Sequence, residues 1–323
     1  MTMEYSLDTS QNIIARTRKN NLKKLWLGLL FTAPVLLGYA IFVFVPLIVT
    51  VVLSFTNFSI GANNTAFVGM ENYVRMFNGQ DVYFWPSVKA TLLYVFGSVP
   101  LNILFSFLVA VLLNTNIKGR SFLRGVFYLP VVIPLASGCS IWLWMLQPDF
   151  GIVNQLLKAV GLPPGTWLSS DTTVIPTFIL FSLWICGNTI VIFLAGLQEI
   201  PGQLYEAIDV DGGNAWHKLM YITIPMASPI IFFNTVMGVI NAFQTFVQTA
   251  VLTPGYSQMM MGQPNNSGLL YVPYIYIKAF RFSQMGAASA SAIILLIAIA
   301  IFTVIFFRMQ RSLVYYEGDV RKK

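Results

Sequence analysis

Six stretches of this chain are apolar over lengths that match a bilayer: 25–53, 88–114, 122–147, 173–198, 226–251 and 286–308. A hydrocarbon core about 30 Å thick takes about 20 residues of helix. Backbone amides in lipid have no water to bond, so each run must satisfy its own as a helix. Composition agrees: 56% of the 323 residues are hydrophobic and 10% charged, against about 25% charged in a soluble domain. The expected fold class is all-α, a polytopic membrane protein with six transmembrane helices. Pro34, Pro46, Pro100, Pro130 and Pro134 lie in or near these runs and predict kinks that neighbouring helices accommodate.

Orientation follows from where the cations lie. The N-terminal segment carries Arg16, Arg18, Lys19, Lys23 and Lys24; the 115–125 loop carries Lys118, Arg120 and Arg124; the tail carries Arg308, Arg311, Arg321, Lys322 and Lys323. Loops on the other side hold Arg75, Lys89, Lys158, Lys278 and Arg281. The positive-inside rule puts both termini in the cytoplasm. The first 24 residues are too polar and basic for a cleavable signal peptide. The expected organisation is a basic segment at 1–24, a membrane domain at 25–310 and a cytoplasmic tail at 311–323. The net charge of +7 clusters at the edges of apolar runs, which speaks against nucleic-acid binding.

Several chemistries are disfavoured. Cys139 and Cys186 fall inside apolar runs and read as small hydrophobes. A single histidine, His217, and scattered carboxylates suggest no metal site. No Gly-x-x-x-x-Gly-Lys-Ser/Thr loop occurs, so the chain has no phosphate loop of its own, and nothing pairs a nucleophile with a base. The middles of the runs lack ionisable side chains, where proton-coupled carriers usually place them. Sodium sites built from carbonyls and hydroxyls stay open.

Neutral polar residues point elsewhere. In the fifth run Asn234, Gly238, Asn241, Gln244, Thr245, Gln248 and Thr249 fall within an arc of roughly 140° at 100° per residue. In the fourth, Thr177, Phe181, Trp184 and Asn188 fall within roughly 60°. Amides and flat aromatic faces suit a neutral polyhydroxy solute. Helix–helix packing uses the same residue types, but four amides on one helix exceed what packing needs. The residues expected to line a solute path are Trp184, Asn188, Asn241, Gln244, Thr245 and Gln248. Outside the runs, 151–161 reads as an amphipathic helix lying on the interface. Tyr271, Tyr274, Tyr276 and Phe280 read as an interfacial belt or as a contact for an external partner.

Between the fourth and fifth runs, at about 199–225, lies an acidic island with Glu199, Glu206, Asp209 and Asp211 against Lys218. Residues 204–210 can form a short helix, Gly212-Gly213 would break it, and 215–224 reads helical again. Pro225 and Pro229 then start the next membrane helix. Lipid gains nothing from such a segment; a soluble partner with a cleft would.

Glu206-Ala207-Ile208, Asp211-Gly212-Gly213, Leu219, Ile222 and Pro225 resemble the EAA signature of inner-membrane permease subunits of ABC importers. The signature has a Glu-Ala-Ala triplet, an Asp-Gly-Ala and an Ile-x-Leu-Pro ending. Here Ile208 replaces the third small residue, Gly213 replaces Ala and Ile224 replaces Leu. Phe67 to Tyr73, Gly151 to Asn154 with Gly161, and Tyr274 to Ala288 resemble the carbohydrate branch. The resemblance covers about 25–310. It implies a subunit that is not itself an enzyme and holds no cofactor, with ATP and Mg bound by two partner ATPase subunits. It further implies a second permease subunit, usually distinct, an external solute-binding protein and a bacterial inner membrane. Coupling to the ATPase would fall on Glu206, Ala207, Asp211, Gly212, Gly213, Leu219 and Pro225. The solute implied is a carbohydrate, an oligosaccharide first. A polyol, a uronate oligomer or a glycerol phosphate ester is the alternative, with an ion-coupled secondary carrier behind them.

Overall fold

The structure, a computed structural model, describes residues 23–62, 64–115, 117–253 and 261–314. The cations at 16, 18, 19 and 321–323, and most of the expected terminal segments, lie outside the described residues. The chain divides into two units, Met1–Leu53 and Ser54–Lys323, each described by itself. Among the described residues every regular element is helical, and the sole ladder contact is an isolated bridge between Thr56 and Phe67.

The first unit holds α1, Lys23–Ser54, except for its last residue. Pro46 does not end it. A proline ring clashes with the carbonyl four residues back, here Phe42. The helix takes up that clash with a π turn at Ala40–Phe44, where Val45 N–H donates to the Ala40 carbonyl five residues earlier.

In the second unit α2 (Glu71–Phe77) leads into α3 (Phe84–Asn114), a 31-residue helix that passes through Pro100. Then come α4 (Arg120–Val132) and α5 (Leu135–Met145), α6 (Ile152–Ala159), α7 (Val174–Trp184) and α8 (Gly187–Gln198). A short α9 (Gly202–Val210) precedes α10 (Ala215–Phe243). The order ends with α11 (Val247–Leu252), α12 (Tyr271–Tyr276) and α13 (Met285–Leu313). Four helices, α1, α3, α10 and α13, are long and apolar enough to cross a membrane.

Three of the six apolar runs are not single helices. The third bends by 99° between α4 and α5. Ile133 precedes Pro134 and is extended (φ −73°, ψ 129°), the backbone that a following proline imposes. The fourth bends by 48° between α7 and α8. There Gly187 sits so close to the Phe127 carbonyl and Val131 of α4 that a Cβ would collide. The fifth ends at Phe243 and restarts at Val247. At its other end the expected helix start at Pro225 is absent. A π turn at Leu219–Thr223 takes up the proline as in α1, and α10 runs on unbroken from Ala215.

The core is organised around α3, which packs on α7, α8, α10 and α12. Tyr94, Val95 and Val99 of α3 meet Phe178 and Phe181 of α7, Phe243 of α10 and Leu252 of α11. Further along, Phe107, Ala110 and Leu113 meet Ile190, Phe193 and Leu197 of α8. A third cluster joins Met76 and Phe84 to Tyr271 and Tyr274.

That third cluster gives the tyrosines a role other than an interfacial belt. Tyr271 and Tyr274 are buried. Tyr274 Oη donates to Asp81 Oδ2 at 2.7 Å, and Lys278 Nζ reaches the same oxygen at 2.7 Å. Ser291 of α13 lies 3.3 Å from Tyr274 Oη. Burial first, and then the Asp81 charge, push the Tyr274 phenol well above its usual range. Tyr276 and Phe280 remain nearer the surface, their rings 5.1 Å apart.

The 151–161 segment forms α6 as expected, with Ile152, Leu156 and Val160 exposed along one stripe. Its opposite face is fixed by Asn154, which is 1% exposed. The Asn154 amide donates to the carbonyls of Pro148 and Gly165, and accepts from Gly165 N–H and Trp167 Nε1.

Candidate functional site

A cavity of about 620 Å³ opens among α3, α7, α8, α10 and α11. Five of the six residues expected on the solute path line it: Asn188, Asn241, Gln244, Thr245 and Gln248. They come from four places. Asn188 stands in the first turn of α8, just past the bend. Asn241 lies near the C-terminal end of α10. Gln244 and Thr245 occupy the break, and Gln248 sits on α11. The break at 244–246 therefore lies at the cavity wall, where Phe246 also contributes and stacks edge-on to Tyr276 at 5.3 Å.

Trp184 does not line the cavity. Its indole packs against Trp142 and Phe181, with ring centroids 6.0 and 5.8 Å away. Phe181 is fully buried and Thr177 bonds the Trp167 and Thr173 carbonyls. The arc of roughly 60° assumed one continuous helix. The 48° bend between α7 and α8 takes Asn188 out of phase with the other three.

Three residues of α3 were missed: Tyr94, Ser98 and Asn102, which face the cavity opposite α10. Their spacing of four, which puts them on one helix face, was the available signal. Asn102 donates to the Ser182 carbonyl at 3.1 Å, and Asn234 donates to the Ile230 carbonyl at 2.9 Å. Those two amides are engaged in the protein's own structure. The side-chain amides of Asn188, Asn241 and Gln244 are exposed and donate to no protein acceptor among the described residues. Packing accounts for Asn102 and Asn234; it does not account for Asn188, Asn241 and Gln244. None of the residues lining the cavity carries a formal charge. Among the described residues no group of three or more His, Cys, Asp or Glu is placed to hold a metal ion.

The acidic island forms a second candidate site. Pro201 is extended and caps α9. The helix ends at Asp211, and Gly212 takes φ +76°, which glycine adopts at little cost. Gly213 N–H donates to the Ile208 carbonyl at 2.8 Å. A Cβ on Gly213 would run into the Ile208 side chain. Asn214 then caps α10 by accepting from Trp216 and His217 N–H at 3.0 and 3.1 Å, while His217 Nδ1 accepts from Asn214 N–H. This is a capping box with histidine in the usual acidic position.

Two contacts tie α9 to α10: Lys218 Nζ to Asp209 at 2.6 Å, and Tyr205 Oη to Thr223 Oγ1 at 3.1 Å. Thr223 Oγ1 also donates to the Lys218 carbonyl. Glu206, Ala207, Asp211 and Gly212 are exposed, as are the apolar Val210 (88%) and Trp216 (62%). Leu219 and Pro225 lie half-buried in α10. The face thus offers carboxylates around an apolar tip, on a two-helix turn held by these contacts.

Fold and cavity together define a multi-span membrane protein, helical among the described residues, with a solute-sized chamber walled by neutral polar and apolar side chains. The chain belongs to the family of binding-protein-dependent transport system inner membrane components, whose profile matches residues 102–314. It is 36% identical to the probable ABC transporter permease protein YesP of Bacillus subtilis, over 93% of this chain and 94% of that one. It is 30% identical to the arabinooligosaccharides transport system permease protein AraP of the same organism, over 88% of each. In fold it resembles a chain of a bacterial alginate ABC transporter crystallised with a pentasaccharide-bound periplasmic protein. The TM-score is 0.78 at 22% identity, over 91% of this chain and 96% of that one.

Proposed function

We propose that this chain is one permease subunit of an ATP-driven, binding-protein-dependent importer of an uncharged carbohydrate, an oligosaccharide in the first instance. One observation carries the reading: exposed amides with no protein partner, set in a cavity whose lining bears no formal charge. Sugar hydroxyls donate and accept, and a carboxamide answers both. A cavity of about 620 Å³ holds a small oligosaccharide unit within the ordinary range of ligand sites. The relative named for arabinooligosaccharides supports the solute class. A uronate or phosphate ester would need a cation that this lining does not supply.

In this reading the four long helices and the two bent pairs make six spans, and the cation pattern puts both termini in the cytoplasm of a bacterium's inner membrane. The α9 turn then faces the cytoplasm. Glu206, Ala207, Asp211, Gly212 and Gly213 dock an ATPase subunit, while Leu219 and Pro225 fix the shaft behind them. Two such ATPases bind ATP and Mg. A second permease completes the path, and an external binding protein delivers the solute.

The test is uptake in the reconstituted complex. Asn241→Leu and Gln244→Leu should each cut transport by about tenfold or more, the scale for losing paired polar recognition. Normal rates and selectivity in both variants would return these amides to packing. Glu206→Ala should uncouple ATPase stimulation by loaded binding protein while the complex still assembles.

A further inference from the structure

Arg124 belongs to neither the solute cavity nor the acidic turn. It lies in α4, beside a pocket of about 250 Å³ that the solute cavity does not include. Its Nε and one terminal guanidinium nitrogen are buried, and they meet no hydrogen-bond acceptor among the described residues. The ion pairs among the described residues are Arg75–Glu71, Lys218–Asp209 and Lys278–Asp81. Arg124 joins none of them. Arg124 as a whole is half-buried, yet these two guanidinium nitrogens give up hydration without gaining an acceptor, which is costly for a cation.

The pocket has two kinds of wall. Arg124, Tyr128 and Gln198 provide polar groups; Leu113, Phe127 and Leu194 provide apolar ones. Lys118 stands just before α4 and Arg120 is its first residue, and both raise the local positive potential. A guanidinium fork matches two oxygens of a phosphate. Apolar walls next to it match the glycerol and upper acyl region of the same molecule. Basic pockets between membrane helices are a recurring form of lipid headgroup site. We propose that this pocket between α4 and α8 binds the phosphate group of an anionic phospholipid through Arg124. Gln198 ends α8, and α9 begins four residues later, so the lipid sits at the root of the acidic turn.

The inference rests on the chain spanning a membrane and is independent of the carbohydrate reading, since lipid retention is measured without transport. The experiment is native mass spectrometry on the full chain, with phosphatidylglycerol and phosphatidylcholine of identical acyl chains. Wild type should retain one phosphatidylglycerol with about tenfold preference, the scale of a charge-assisted pair. Arg124→Gln should erase the preference, and Arg124→Lys should keep part of it. A second arm uses inorganic phosphate. If it alone raises the melting temperature, and only with Arg124 present, the phosphate site stands and its source is a soluble anion. Undiminished preference in a folded Arg124→Gln chain overturns the proposal, whether or not that variant releases a partner subunit. Should Arg124→Gln fail to fold, a headgroup-photoreactive phosphatidylglycerol on wild type decides. Labelling in α4 or α8 supports the site, and labelling confined elsewhere overturns it.

Discussion

Ile208 and Gly213 form one fit seen from two sides. The resemblance to the EAA signature made each a separate departure: a large residue where a small one is usual, and no side chain where Ala is usual. In space the Ile208 side chain fills the volume that a Cβ at 213 would need. Gly213→Ala should therefore lower stability by about 1–3 kcal/mol, the range for overpacking. Ile208→Ala should recover most of that loss in the double variant, read as the melting temperatures of the four chains in a double-mutant cycle. Additive losses would disprove the fit. Asn154 makes a simpler case. Asn154→Leu strands Gly165 N–H and the Trp167 indole N–H, each costing about 1–3 kcal/mol when buried without an acceptor. The melting temperature should fall, and α6 should become the first segment to exchange its amides.

At the scale of elements, hydrophobicity found all six apolar runs but said little about their continuity. Pro134 was visible in the sequence and does mark a break, because the residue before it is forced into extended backbone. Pro46 and Pro225 were equally visible and mark no break, because a π turn two residues upstream absorbs each ring. The bend at Ile185–Cys186 has no proline. It follows from Gly187 pressing on α4, a tertiary fact with no local signature. This is why the arc on the fifth run found cavity residues while the arc on the fourth found one, Asn188, beside three packing residues. The α2–α3 connection carries a further expectation. Asp81→Asn leaves Lys278 (12% exposed) without its counter-charge and should cost about 3–5 kcal/mol, as for other broken buried pairs. Asp81→Asn with Lys278→Met should cost less than the single change. Equal melting temperatures for the single variant and wild type would show that the pair contributes nothing.

At the scale of the whole molecule, cation placement gave an orientation that labelling can check. With Cys139 and Cys186 replaced by Ala, Lys158→Cys should react with an impermeant maleimide on intact cells. Asp211→Cys should react only after permeabilisation. The reverse pattern would invert the topology. The polar chamber was legible in part: its α8, α10 and α11 walls came from spacing, whereas the α3 wall at Tyr94, Ser98 and Asn102 was passed over as ordinary membrane helix.

The π turn before Pro225 has a mechanical consequence. Because that proline is absorbed rather than allowed to divide the helix, 29 residues form a single rod, roughly 43 Å long at about 1.5 Å per residue. One end is clamped to the acidic turn by Asn214, Lys218 and Thr223. The other end carries Asn241 and stops at Gln244. In the proposed importer a push on the first end would reach the chamber along one continuous helix, and the first interruption is the break at 244–246, where Gln244 and Thr245 stand.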